Sequence, residues 1–299
     1  MSDIIELINN LGPITGKELL SRTKEDEYTV WKTCITSPDI ITKIVGNRYL
    51  RLDRQVEGYA RLSPSIMREF MNYTVIGLAG QPDEIDRRAT VLEDEIIHIS
   101  QDKFQLTQEI ITEVVESQHL VDKINTSACV LIAGDVVYNM SHMEPRPEFS
   151  TGKMVQGSDL DMVIITDGLD DSSIKLLDHI IYQRKYMLIK NPVYRQEIDY
   201  LIKDISKMNQ QLSFNDFESM VACKILDEGK YLYGNHDLFH RLKEGLQKKD
   251  IPKKLRLLEH KAIVQREEAE ARLINNSKLL STNEIIQLFY ATSEAEEFF

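Results

Sequence analysis

The segment Gln156-Gly157-Ser158-Asp159-Leu160-Asp161-Met162-Val163-Ile164-Ile165 constrains this chain more than any other. Its apolar run reads as a buried β-strand, and strand side chains alternate between two faces, so Asp159 and Asp161 point the same way. Bringing two carboxylates together at the head of an apolar strand costs free energy unless a cation sits between them. Hard divalent ions such as Mg²⁺ or Mn²⁺ prefer carboxylate oxygens. Taken alone, an Asp-x-Asp at a strand end is common in turns, so a third acid from a neighbouring strand is needed. Arg195 to Lys203 alternates as a strand and supplies Asp199 among Ile198, Tyr200, Leu201 and Ile202, with Glu197 on the same face as a reserve. Asp159, Asp161 and Asp199 are therefore the candidate metal and catalytic residues, a set able to hold two ions in the clamp used for in-line displacement at phosphorus.

The surrounding pattern predicts an α+β protein. Residues 128–133 form a short apolar strand, 171–190 a helix, and the chain after 209 is helical to its end. A long helix covers about 86–123 with a break near Ser100-Gln101-Asp102, and another covers 63–78. At the N-terminus, Ile4, Ile5, Leu7 and Ile8 mark a first helix, and Thr15-x-x-Glu18 is a capping box opening a second. A third covers 27–36, and Gly46-Asn47 joins 40–45 to 48–52 as a two-residue hairpin. Three helices and a hairpin predict a winged helix over 1–56. A helical connector follows over 57–119, then a mixed-sheet core with flanking helices over 120–210, and a C-terminal helical region over 211–299.

Charge and composition narrow the partners. A net charge of −12 disfavours nonspecific binding to nucleic acid. In the winged helix, Lys32, Arg48, Arg51 and Arg54 suit a DNA backbone, whereas Glu25, Asp26 and Glu27 oppose it, so a DNA or a protein partner stays open, with protein docking slightly favoured. No apolar stretch is long enough for a membrane span. The opening residues carry no basic start and apolar run, and Cys34, Cys129 and Cys223 lack metal-ligand spacing, so a reducing, cytoplasmic setting is expected. The seven histidines show no ligand spacing either.

Over residues 120–240 the chain resembles the DNA polymerase β-like nucleotidyltransferase superfamily. The likeness rests on an ordered set: a strand, the turn Gly134-Asp135, a helix over Val136–His142, the pair Asp159-Leu160-Asp161, then Asp199. Beyond it, Gly229-Lys230-Tyr231-Leu232-Tyr233-Gly234 resembles the Leu-Tyr-Gly ending of small members. The resemblance implies transfer of a nucleoside monophosphate from a triphosphate to a protein, RNA or nucleotide acceptor, with release of pyrophosphate. It implies nucleotide contacts from Gly134, Asp135, Gly157, Ser158, Lys224 and Tyr233, although Lys224 also suits a solvated helix face and the tyrosines also suit packing. One departure stands out: Asp135 replaces the family's phosphate-binding serine. Either Gly157-Ser158 and backbone amides take over, with Arg146 and Lys153 available from the preceding loop, or the domain senses nucleotide without turnover as part of a regulator.

Overall fold

A computed structural model describes residues 2–148, 151–275 and 280–290. The chain divides into two compact units, Met1–Ile96 with Leu258–Phe299, and Ile97–Leu257. The stretch 211–299, expected as one helical region, is thus shared between them.

The first unit begins with α1 (Ser2–Leu11), β1 (Ile14–Thr15), α2 (Gly16–Leu20), α3 (Glu27–Thr36) and β2 (Ile40–Ile44). It continues with β3 (Tyr49–Leu52), β4 (Ala60–Ser63), α4 (Ile66–Tyr73), β5 (Thr74–Leu78) and the start of α5 (Pro82–Ser117). The Thr15 capping box forms with both reciprocal bonds, Glu18 N–H to Thr15 Oγ1 at 3.2 Å and Thr15 N–H to Glu18 at 2.6 Å. The expected 40–52 hairpin does not. β2 pairs antiparallel with β5, and β3 pairs with β4. Residues 74–78, expected as helix, are instead the central strand of the β1-β5-β2 sheet. Four of the five β5 residues are buried, so the strand's backbone groups need partners on both edges, and β1 and β2 supply them.

Helix α3 is covered rather than free. Phe289, fully buried, lies 5.3 Å from the Trp31 ring and 5.7 Å from Tyr28, centroid to centroid. Tyr28 Oη donates to Leu273 O at 2.7 Å, and Lys32 Nζ to Ile274 O at 2.9 Å. Arg48 forms ion pairs with Glu69 at 2.6 Å and Glu270 at 3.1 Å. Lys32 and Arg48, both expected on DNA phosphates, therefore bind this unit's own carbonyls and carboxylates.

The second unit is built on a four-stranded mixed sheet in the order β10-β9-β6-β11. After α5 come α6 (Val121–Ser127), β6 (Ala128–Ile132), a 3₁₀ turn (Gly134–Tyr138), and β7 (Pro145–Pro147) paired with β8 (Met154–Gln156). Next are β9 (Leu160–Thr166), α7 (Asp171–Lys190), β10 (Ile198–Asp204), α8 (Ile205–Gln211), α9 (Phe217–Glu228), β11 (Lys230–Gly234), α10 (His236–Lys248) and α11 (Ile251–Asn275). The last helix, α12 (Thr282–Phe289), returns to the first unit. Strand β6 is wholly buried, as its uninterrupted apolar run requires. Strands β9 and β10 are parallel, so a crossover must join them, and α7 does so. Asp170 caps α7 by accepting from Ser173 N–H at 2.9 Å.

Three local expectations change here. In place of a turn at Gly134-Asp135 and a helix over 136–142 there is a short 3₁₀ turn over Gly134–Tyr138, closed by Asn139 at φ +56°. Residues 230–234, expected within a helical stretch, form edge strand β11 against β6. Helix α5 runs unbroken through Ser100-Gln101-Asp102, because Ser100 faces inward and accepts from Ser141 N–H at 3.0 Å. The chain turns instead at His119, φ +56°.

Candidate metal centre

Asp159, Asp161 and Asp199 converge. Each offers a carboxylate oxygen, and these oxygens all lie within 4.8 Å of one another. The register explains it: β9 and β10 are aligned so that Asp161 stands directly opposite Asp199. Asp159 sits just ahead of β9 on the same face, and Leu160 N–H donates to Glu197 O at 2.9 Å, which fixes the heads of the two strands together.

Two cations lie among the acids. Arg146, from β7, pairs with Asp159 and with Glu197 at 3.0 Å. Its Nε also donates to Gly157 O at 3.1 Å. Lys185, from α7, reaches Asp199 at 2.8 Å and Glu197 at 3.3 Å. Burial raises the Glu197 carboxyl above its usual range, a shift that Arg146 and Lys185 only partly offset. For Lys185, burial works to lower the ammonium, but bonds to Asp199 and Glu197 outweigh it and raise the pKa. Glu197, the reserve acid, is therefore an ion-pair partner that links both cations.

The glycines matter by what they leave out. Gly134 has φ +71°, and a Cβ there would fall 2.1 Å from Asp161 Oδ2. Gly157 has φ +69°, and a Cβ would fall 1.7 Å from His142 O. Only glycine permits that backbone at either position without strain. Ser158, buried, accepts from His142 N–H at 3.2 Å and donates to Asp135 at 2.6 Å. Asp135 thus holds the turn ahead of Asp159 through Ser158.

The remaining expected nucleotide residues form a second group. Lys224 pairs with Glu228 and donates to Tyr138 Oη at 2.7 Å. Glu228 also accepts from Gly134 N–H at 3.1 Å and from Tyr138 Oη at 2.8 Å. Tyr233 lies in β11, two strands from β9, packed against the unit's apolar core. Lys153 follows directly in sequence on Gly152, in the turn between β7 and β8.

Sequence reasoning passed over Glu228, Lys185 and Lys103. Lys103 is buried on α5, with Nζ donating to Ser158 O at 2.8 Å, Gln156 O at 3.1 Å and the Gln196 side chain. Burial pushes its ammonium down to about 8, with nearby Asp135 opposing and Arg146 adding to the fall. A signal existed, since Lys103 falls seven residues after Ile96 and seven before Ile110 and so occupies the helix's apolar stripe.

Comparison with protein-family models, with curated proteins and with solved structures returned no match. Among the described residues, no helix is long and apolar enough to cross a membrane.

Proposed function

We propose that the second unit is a divalent-cation-dependent nucleotidyltransferase. The observation that carries this reading is the convergence of Asp159, Asp161 and Asp199, with one oxygen from each inside 4.8 Å. The donor set is all carboxylate, as Mg²⁺ and Mn²⁺ prefer, and Gly134 leaves the space beside Asp161 clear of a side chain. A cation held there would neutralise the like charges and withdraw electron density from the α-phosphate. Asp159 and Asp161 would hold it against the triphosphate. Asp199, the most exposed of the three, would assist the cation that activates the acceptor hydroxyl. The acceptor oxygen bonds to the α-phosphorus as the bond to pyrophosphate breaks, and the hydroxyl proton passes to a carboxylate of the cluster or to water. The acceptor class stays as the resemblance leaves it: protein, RNA or nucleotide.

A second reading, a nucleotide-sensing regulator without turnover, draws on Asp135. An acid where the resemblance expects a phosphate-binding serine repels phosphate, and here it bonds to Ser158. Incubation with each α-labelled triphosphate and Mg²⁺ or Mn²⁺ separates the two. Label transfer or pyrophosphate release that vanishes in Asp159→Ala and Asp161→Ala supports transfer, whereas binding without release favours sensing.

For the first unit we infer a winged-helix-like module in which β3, β4 and α4 elaborate the wing, suited to protein docking more than to DNA. The engagement of Lys32 and Arg48 within the unit supports this. A duplex shift by the full chain that weakens in Arg51→Gln/Arg54→Gln would overturn it.

A further inference from the structure

We propose that Lys103 is the positioning residue of the carboxylate cluster: one buried ammonium ties the turn that delivers Asp159 and Asp161 to the turn that delivers Asp199. The inference rests on the transfer reading above and adds a residue that acts through the backbone ahead of the acids.

Three bonds carry the argument. Lys103 Nζ donates to Gln156 O at 3.1 Å and Ser158 O at 2.8 Å, the backbone leading into Asp159. Its third bond goes to the Gln196 side chain, in the backbone leading into Asp199. An ammonium has three donors and no acceptor, so this set uses it completely. Lys103 is 3% exposed and Gln196 5% exposed, so water does not replace either partner cheaply.

Further bonds tighten the same floor. Gln156 N–H donates to Arg195 O at 2.7 Å, Gly157 N–H to Glu144 O at 2.9 Å, and Ser158 N–H to His142 O at 3.2 Å. One turn away on α5, Ser100 holds the 141–144 loop through Ser141 N–H. Thr107, one turn on in the other direction, closes onto Lys103 O at 2.7 Å and keeps this face of the helix regular. Ser100, Lys103 and Thr107 thus make a buried polar stripe in which Lys103 bonds to the segments leading into the acids, Ser100 to the loop that backs them, and Thr107 to the helix itself. Arg146 and Lys185 offset part of the charge on Asp159 and Asp199, but the three carboxylates converge only if the backbones that deliver them are fixed, and Lys103 bonds to both strand heads from a single point.

The test uses the full chain with Mn²⁺ alone, its free concentration followed by electron paramagnetic resonance, beside thermal melts and α-labelled triphosphate turnover. Lys103→Met is expected to weaken Mn²⁺ binding by about tenfold or more, the range seen when groups that orient metal ligands are lost. Turnover number should fall with it while the triphosphate KM stays within roughly threefold, since the lysine touches no nucleotide in this scheme. Lys103→Arg, which keeps charge and donors, should recover part of the Mn²⁺ affinity. Folded Lys103→Met with wild-type Mn²⁺ affinity overturns the proposal, and so does Lys103→Arg losing as much as Lys103→Met. If Lys103→Met does not fold, Gln196→Met decides, with weaker Mn²⁺ binding in support and unchanged binding against. Wild-type chain that binds no Mn²⁺ overturns the metal reading itself, a different failure from a variant that matches a binding wild type.

Discussion

Replacing Gly134 by alanine separates backbone strain from damage to the carboxylate cluster. The new methyl carbon would stand 2.1 Å from Asp161 Oδ2, well inside contact distance, and the backbone has φ +71°. An L-residue in that conformation costs about 1–2 kcal/mol. The clash itself is relieved if the Asp161 carboxylate rotates away, but rotation withdraws one of three ligands. Stability should therefore fall only modestly, by roughly 3–6 °C in melting temperature for a unit of this size. Mn²⁺ affinity should fall much further, on the order of 100-fold, the upper end of what loss of an orienting group costs. Gly168→Ala is the control: its φ is +79°, yet nothing lies within 4 Å of an added Cβ. It should show the same thermal loss with wild-type Mn²⁺ binding. Calorimetric melts and Mn²⁺ titration by electron paramagnetic resonance read both quantities. Equal Mn²⁺ affinity in Gly134→Ala and wild type, or an equal loss in Gly168→Ala, would refute the reasoning.

Glu228→Gln removes the carboxylate that pairs with the Lys224 ammonium, 11% exposed at its side chain, and should cost about 3 kcal/mol in urea unfolding. Phe289→Ala removes a fully buried ring from against Tyr28 and Trp31 and should cost about 3–5 kcal/mol, which unchanged unfolding would contradict. The pH dependence follows from Lys103: its ammonium is held near 8 against an ordinary 10.5, so between those values the folded chain binds fewer protons than the unfolded one. Wild type should accordingly gain about 3 kcal/mol over Lys103→Met as pH rises from 7 to 10.5, and a constant difference would count against the burial argument.

The acids of the cluster were legible because strand periodicity is local. Asp159 and Asp161 share a face whatever the rest of the chain does, and Asp199 lies on an alternating apolar run. What the run does not contain is its register, set by Leu160 N–H meeting Glu197 O and by the length of α7. The Gly46-Asn47 signal failed for the same reason in reverse. A turn-competent dipeptide says nothing of the demand from β5, a buried strand distant in sequence with two edges to satisfy. Ser100 misled and Lys103 went unnoticed because polar residues in a helical pattern normally mark solvent or a break, whereas here they carry bonds to loops far along the chain.

The parallel pairing of β9 with β10 has a consequence for how the centre comes into being. Asp161 and Asp199 become neighbours only after the whole of α7 has crossed over and β10 has docked, a non-local closure of the slow kind. During synthesis, the nascent chain exposes Asp159 and Asp161 well before their partner emerges. If the three carboxylates hold a divalent ion as proposed, that three-ligand site would be complete only after β10 docks, and ion capture would then report completion of the fold.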